Sequence, residues 1–453
     1  MNLHLHGAAS HGSYISGTVE VVQLRTIMKR TYLNILAVIR LITYCFLALT
    51  FLFYSPVLAR QGENTSSNRQ ASPDFRITSG KGFVKVPFDF YLNSILLQVR
   101  VNNSSPVWLA LDTGANLNVI NRRLFESLGL NAKGAAELSG GGGTVRGQLA
   151  EGATLGLPGV EVYKQTIASA PLDDMPAFFG RDVQGLLGTP FIKNFVLEID
   201  YAGKTLTFYD PKVYNLKDSR EALALEGRRG WPFAEVELSL NGRDKVMDKF
   251  MLDTGSNRIF QINGPFAEAH KLLSMVPRAN TAEGVGEAIG GKVSFTEARI
   301  SGIRIRKYII RRPVVSIYRG ATGADAGADA GVIGGDILRR FTVTLDYQSG
   351  KMLLKPNAHF NEPYEVDMSG LELMTGANDF KVILIKDVRE GAPAAGAGLR
   401  EGDVVVSVNG RPASEFDLDK LSQMFRQSGK ECLLTVRRGD KVISARLRLK
   451  RIV

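Results

Sequence analysis

The chain has 453 residues, 44% of them hydrophobic, and a mean hydropathy near zero, enough to bury cores in about two to four domains and too much for one small module. Its formal net charge of +11 comes from Lys and Arg scattered among Asp and Glu, with no aromatic residues interleaved along a basic stripe. That pattern excludes a dedicated nucleic-acid-binding face and leaves open a general attraction to anionic surfaces.

The first predicted element is an export signal over residues 1–59. Arg25, Lys29 and Arg30 precede an apolar region, Arg40 precedes the unbroken apolar run Leu41 to Tyr54, and Val57, Leu58 and Ala59 close it after Pro56. A basic start, a run too short to span a bilayer comfortably and a small-residue end describe a cleavable signal, with cleavage after Ala59. The expected location is therefore exported, periplasmic or secreted. An uncleaved anchor that also recruits Leu33 to Val38 is the alternative, and the chain meets a membrane only in that case; Arg40 inside the longer run weighs against it. Residues before Met28 carry His4, His6 and His11 and have no place in such a signal, so Met28 is expected to be the true start. Of the two cysteines, Cys45 lies in the signal and Cys432 near the end, so the mature chain has no internal disulfide to form.

Residues 60–81 are rich in Ser, Asn, Gly and Arg and are read as a flexible tether, with order beginning near Phe83. Beyond it lies a repeat with a period of roughly 141 to 146 residues, which implies two duplicated lobes at 82–212 and 230–357 joined by a charged linker, 213–229. Each lobe opens with alternating apolar residues, a turn and an apolar run ending in Asp-Thr-Gly: Asp112, Thr113 and Gly114 in the first, Asp253, Thr254 and Gly255 in the second. Each continues into a short helix, Arg122 to Leu128 and Phe266 to Leu273, then a glycine-rich stretch, Gly140 to Gly143 and Gly284 to Gly291. Each closes on an apolar-apolar-glycine segment, Leu186, Leu187 and Gly188 against Val332, Ile333 and Gly334, in which Gly188 aligns with Gly334 and Asp200 with Asp346. Alternating Val, Ile, Leu and Phe between Gly, Asn and Asp turns make the fold mainly β.

One Asp-Thr-Gly in a chain of this length is weak evidence; two, each after an apolar run and each followed by the same bracing segment, are not an accident. A strand end carrying Asp, Thr and Gly presents a carboxylate to a cleft while the glycine lets the backbone turn tightly. Two such carboxylates brought together share one proton, because like charges at about 3 Å repel strongly. The pair can then activate a water against an amide carbonyl without metal or covalent intermediate.

In these motifs the chain resembles the aspartic peptidases, with a pepsin-like duplication and shorter, retroviral-type halves. The resemblance implies acid-protease β-barrel lobes forming one bilobal catalytic unit, in which Asp112 and Asp253 are the catalytic pair. Thr113 and Thr254 would cross-link the two loops, Gly114 and Gly255 would complete the turns, and the two apolar-apolar-glycine segments would brace them. It also implies polypeptide substrates, a monomer, no cofactor, and hairpins at the glycine-rich stretches that close over the cleft. The lobes differ at Ala115 and Ser256: a serine hydroxyl donating to Asp253 would make that carboxylate the easier to ionise. His270 and His359, the only histidines of the mature chain, show no spacing with acids that suggests zinc, so no metal is expected. A peptide-binding scaffold that keeps an inactive pair of aspartates is the alternative from another functional class.

The last region, 363–453, contains Ala392, Pro393, Ala394, Ala397, Gly398, Leu399, Gly402, Asp403, Val408, Asn409 and Gly410 in an order that resembles a bacterial-type PDZ domain, a small α+β fold. Such domains add an extended peptide to a sheet edge and hold its terminal carboxylate with loop N–H groups, which implies a peptide ligand here. By position the loop is Ser369, Gly370, Leu371, Glu372 and Leu373, with Glu372 where a glycine is usual.

Overall fold

A computed structural model describes residues 74–215, 221–228, 231–319 and 329–453. The expected export signal, the proposed start at Met28 and the first part of the tether lie outside the described residues. Among the described residues the strands form four sheets and helices are short, so the fold is mainly β.

In the first lobe the apolar strand Val107–Leu111 pairs antiparallel with Ser94–Val101 on one side and parallel with Val183–Leu187 on the other. Val183–Leu187 also runs antiparallel to Asn118–Asn121. The second lobe repeats this pattern: Lys245–Leu252 lies between Trp231–Ser239 and the parallel Gly331–Ile333, which pairs in turn with Phe260–Ile262. Val107–Leu111 is apolar on both faces, as expected for a strand covered on both sides, whereas Lys245–Leu252 is charged and exposed at its start and buried only towards its end, at Phe250 and Leu252. Leu109, Leu111, Leu187, Leu252 and Ile333 are all buried.

A shared six-stranded sheet joins the lobes. At its centre Val196–Asp200 of the first lobe runs antiparallel to Phe341–Asp346 of the second, with Leu197 opposite Leu345 and Ile199 opposite Val343. Each is flanked by its own hairpin partner, Thr205–Tyr209 and Lys351–Pro356. One apolar core runs behind both lobes, including edge-to-face rings at Phe191, Phe195 and Phe208. Each fully buried ring or aliphatic side chain of this kind contributes about 2 kcal/mol.

Three sequence expectations need correction. The tether is ordered in its second half: Phe75–Ile77 pairs with Val160–Val162, and the Phe75 ring meets Phe195 at 4.8 Å. Two apolar residues at strand spacing suffice there despite polar surroundings. The linker also holds strands, Leu223–Ala224 on Met352 and Lys351, and Glu226–Arg228 on the second lobe. In the second lobe the predicted helix is broken: Gly264–Ala269 ends before Lys271, whose left-handed φ of 52° separates it from Leu272–Met275.

The C-terminal domain is a six-stranded sheet with the helix Leu418–Phe425, capped by Asp417, which accepts from the Lys420 N–H at 2.8 Å. Buried Asp403 takes two bonds from Arg438, at 2.6 and 2.7 Å, which hold its carboxyl below the usual range against the effect of burial. The domain packs against both lobes: Leu418 N–H donates to the Tyr91 hydroxyl at 3.1 Å, and Arg389 pairs with Glu297 at 2.7 Å.

Arg340 fastens the connection into this domain. Its side chain is fully buried, donates to the carbonyls of Asp336, His359 and Pro363, and lies 3.5 Å from the centre of the Tyr364 ring. Replacing it with methionine removes these donors, leaving the His359 carbonyl only its bond from the Glu362 N–H, and Arg340→Met is expected to cost about 3 kcal/mol in urea unfolding.

Candidate active site

Asp112 and Asp253 follow directly on the two central strands, and the bracing strands fix both loops. The Asp112 N–H donates to Leu187 O and the Asp253 N–H to Ile333 O, each at 3.0 Å. The next residues are fixed alike: Thr189 N–H reaches Ala115 O at 2.9 Å, and Gly335 N–H reaches Ser256 O at 2.8 Å. Gly188 and Gly334 have no room for a side chain, since a Cβ would stand 2.2 Å from Leu117 O and 2.0 Å from Arg258 O. Leu186, Leu187, Gly188, Val332, Ile333 and Gly334 therefore stand against the two loops, in register with the strands that end in them.

The threonines tie one loop to the other. Thr113 Oγ1 donates to Leu252 O at 2.7 Å and accepts from the Thr254 N–H at 3.0 Å; Thr254 Oγ1 donates to Leu111 O at 2.7 Å and accepts from the Thr113 N–H at 3.1 Å. Both side chains are buried, so all four bonds lie out of water, where an unmade bond is costly.

This cross-link sets the carboxyls side by side, hydrogen-bonded to each other. Asp112 Oδ1 accepts from the Gly114 N–H at 2.8 Å, and Asp253 Oδ1 from the Gly255 N–H at 2.7 Å. The approach requires glycine in both loops: a Cβ on Gly255 would stand 2.4 Å from the Asp112 Cγ, and one on Gly114 2.7 Å from the Asp253 Cγ.

Burial, and next the charge of Asp253, hold the Asp112 carboxyl well above the usual range. Asp253 is also raised by burial, but N–H groups of Gly255, Ser256 and Gly114 and the proton of Asp112 favour its ionised form. Both carboxyls are raised and the two share one proton, so titration is a property of the pair. The hydroxyl bond expected from Ser256 to Asp253 is not made. The Ser256 hydroxyl accepts from Gln261 Nε2 at 2.9 Å, and it is the Ser256 backbone N–H that serves Asp253.

Sequence reasoning missed two tyrosines beside this pair. Tyr201 and Tyr347 follow Asp200 and Asp346 in the shared sheet, and neither buried hydroxyl has a hydrogen-bond partner among the described residues. Burial chiefly, and then the charge of Asp253 on Tyr201 and of both aspartates on Tyr347, raise these phenols. The repeat that aligns Asp200 with Asp346 carried the signal.

The glycine-rich hairpins turn at 140–143 and 288–291, and their tips meet. The Gly142 N–H donates to Ile289 O at 3.0 Å, and a Cβ on Gly290 would stand 2.4 Å from the Gly143 backbone.

His359 pairs with Glu362 at 2.6 Å and His270 stacks on Phe266, while Cys432 is buried, its thiol pushed up to about 11 by burial. Among the described residues no group of three or more His, Cys, Asp or Glu could hold a metal ion.

At the C-terminal loop the structure differs from carboxylate capture. Asp367 Oδ1 already accepts from the N–H groups of Ser369 and Gly370, at 2.8 and 3.0 Å, and from the Ser369 hydroxyl at 2.6 Å. The Leu371 N–H is taken by Ser369 Oγ at 3.1 Å. A carboxylate of the chain itself stands where a ligand's terminus was expected. Glu372 and Leu373 continue into the edge strand Leu371–Thr375, whose far end is covered by the first lobe. Thr375 Oγ1 donates to Ala177 O at 3.1 Å, in the helix Met175–Phe179. A Cβ on the following Gly180 would stand 3.1 Å from Thr375 and 3.4 Å from Leu418. This helix and its C-cap thus lie at the mouth of the groove between edge strand and helix Leu418–Phe425.

Comparison with known proteins agrees with this architecture. Residues 97–191 match a family model described as an aspartyl protease, and residues 384–438 match that of a PDZ domain. The chain carries both domains. Among solved structures, a photosystem II D1 C-terminal processing protease matches at 21% identity over 21% of this chain and 26% of that one, with a TM-score of 0.19. The chain spans about a quarter of that structure's length, and the likeness bears on neither fold nor function.

Thr113→Ala is expected to cost about 3 kcal/mol in thermal or urea unfolding, by leaving Leu252 O and the Thr254 N–H unpaired, whereas Thr113→Ser should cost under about 1 kcal/mol. At the C-terminal domain, titration of the whole protein with short peptides should show no preference for a free C-terminus over its amide, because the loop amides are already engaged.

Proposed function

We propose that the chain is an aspartic endopeptidase that hydrolyses peptide bonds through a water activated by Asp112 and Asp253. One observation carries the reading: two half-buried carboxyls, hydrogen-bonded to each other, each held by the glycine N–H of its own loop and inclined to share one proton.

The chemistry follows from that proton. The ionised carboxylate takes a proton from water as the water oxygen attacks the peptide carbonyl, and the protonated partner donates to the carbonyl oxygen as it becomes a hydroxyl. A proton then passes from the dyad to the amide nitrogen, the C–N bond breaks, and the gem-diol collapses to the acid product while returning its hydroxyl proton to the dyad. Entry of a polypeptide requires the hairpin tips at Gly142 and Ile289 to part, and their closure afterwards excludes water.

The C-terminal domain's part in this reading is peptide or polypeptide binding, with its groove mouth shared with the wall of the first lobe at Met175–Phe179. Substrate recruitment at this domain therefore works through an internal segment rather than a terminal carboxylate. The basic and apolar order of residues 25–59 supports an exported enzyme, periplasmic or secreted.

Cleavage of unfolded polypeptide by purified protein is the test. Asp112→Asn and Asp253→Asn should each lower kcat by about a thousandfold or more, within the range set by loss of an essential proton-transfer group. Binding without cleavage in the unmodified protein would instead identify a scaffold. A stability measurement tests the proton independently of turnover. Both pKa values are raised, so between the ordinary carboxylate range and the raised values the native state keeps a proton that the unfolded chain has released. Stability must therefore fall as pH rises through that interval. Asp112→Asn should melt higher than the unmodified protein at pH 7, and the advantage should shrink on acidification.

A further inference from the structure

The two halves of the cleft are not equally charged. Thr113 and Thr254 lie 141 residues apart, and the same offset sets Leu117 of the first lobe against Arg258 of the second, each five residues beyond its aspartate. Leu117 is part of an apolar cluster with Leu138 and Val145 of the first hairpin. Arg258 instead sends its guanidinium beneath the second hairpin, where Cζ lies 4.0 Å from the centre of the buried Phe295 ring.

The hairpins are matched to these residues. Counted back from the last pair at each tip, Gly140 with Gly143 and Ala288 with Gly291, the second residue is Leu138 in one hairpin and Gly286 in the other. A side chain at Gly286 would begin 2.1 Å from Arg258 Nη2, so the glycine leaves the room that the guanidinium fills. Where the first lobe has leucine at both related positions, the second has arginine and glycine.

The nearby acids of that hairpin are engaged by other cations, Glu283 by Arg319 and Glu297 by Arg389. Among the described residues no carboxylate pairs with Arg258. A guanidinium held against a ring, half-buried and without a counter-charge, favours an incoming carboxylate, since the Coulomb term strengthens as water is displaced. Its position, between catalytic loop and covering hairpin, places it beside any chain that threads the cleft.

We propose that Arg258 is a specificity-determining residue that receives a Glu or Asp side chain of the substrate on the second-lobe side of the cleft, while Leu117 favours an apolar side chain at the related position on the first-lobe side. The inference rests on the peptidase reading for its substrate class, and it is tested by binding so that the two can fail separately.

The probe is a set of labelled, N-acetylated and C-amidated decapeptides of apolar and small residues, with one Glu walked along the sequence and a Gln counterpart for each. Binding is measured by fluorescence anisotropy to full-length Asp253→Asn protein. At one register Glu should bind about tenfold tighter than Gln, a difference within reach of one desolvated charge contact, and should weaken with added salt. Adding Arg258→Leu should remove the preference, and Arg258→Glu should shift it to Lys in a parallel peptide set. Equal affinity for Glu and Gln at every register, a Glu preference that survives Arg258→Leu, or no binding of any peptide overturns the proposal. A Glu preference governed by Arg258, with no cleavage of the same peptides by the unmodified protein, upholds the proposal and removes the peptidase reading.

Discussion

Two carboxyl groups held against each other are the constraint to which the two lobes answer. Unit charges about 3 Å apart repel by about 5 kcal/mol even at an effective dielectric constant of about 20, and burial adds to the penalty for ionising either group. One proton removes the repulsion and turns it into a hydrogen bond, but only while the loops cannot drift apart. Thr113 and Thr254 meet that need by reciprocal bonds across the lobe boundary, each hydroxyl giving to a carbonyl of the opposite strand and taking from the opposite threonine's N–H. Gly114 and Gly255 allow the approach because any Cβ would push the facing carboxyl away. The shared sheet, with Leu197 opposite Leu345 and Ile199 opposite Val343, supplies the stiffness behind the pair.

Much of this was legible in the sequence because duplication writes each requirement twice. An Asp-Thr-Gly that must end a buried strand, and an apolar-apolar-glycine segment that must lie beside it, recur at matching intervals, and each recurrence identifies the other. Asp200 and Asp346 belong to the same pattern, and reading one residue further would have brought in Tyr201 and Tyr347. What stayed hidden depends on contacts between distant parts of the chain. Phe75 and Ile77 look like part of a polar tether until their partner strand at Val160–Val162 is known. Asp367 gives no sign in sequence that its side chain folds back onto the amides of Ser369 and Gly370. The five-residue helix Met175–Phe179 has too little length for a periodic signal, and its contact with Thr375 spans 198 residues.

The Ser256 hydroxyl shows why composition at a site misleads about cause. In sequence, its absence from the first lobe, where Ala115 stands, reads as a source of unequal carboxyls, but the hydroxyl faces Gln261 and it is the Ser256 backbone N–H that serves Asp253. Each loop turns its own glycine N–H onto its aspartate, Gly114 to Asp112 and Gly255 to Asp253, so the two carboxyls are supported alike. A small bias is enough: once one carboxyl holds the proton, its hydrogen bond stabilises the charge on the other, and the asymmetry maintains itself.

A single chain can exploit such differences as two identical subunits cannot. In a symmetric dimer any substitution beside one aspartate appears beside both, so a cation in the cleft would come as a pair and repel itself. Here Leu117 and Arg258 occupy related places independently, and the hairpins above them have diverged to match, Leu138 over one and Gly286 over the other. The C-terminal domain extends the same departure. Its edge strand meets the first-lobe wall at Ala177 and Gly180, whereas the second lobe meets it through the Arg389–Glu297 pair and through buried Arg299, which donates to Val453 O at 3.1 Å. Opening the cleft therefore moves two unlike halves: a first lobe whose wall is packed into the added domain, and a second whose hairpin is tied to that domain by polar bonds at Glu297 and Arg299.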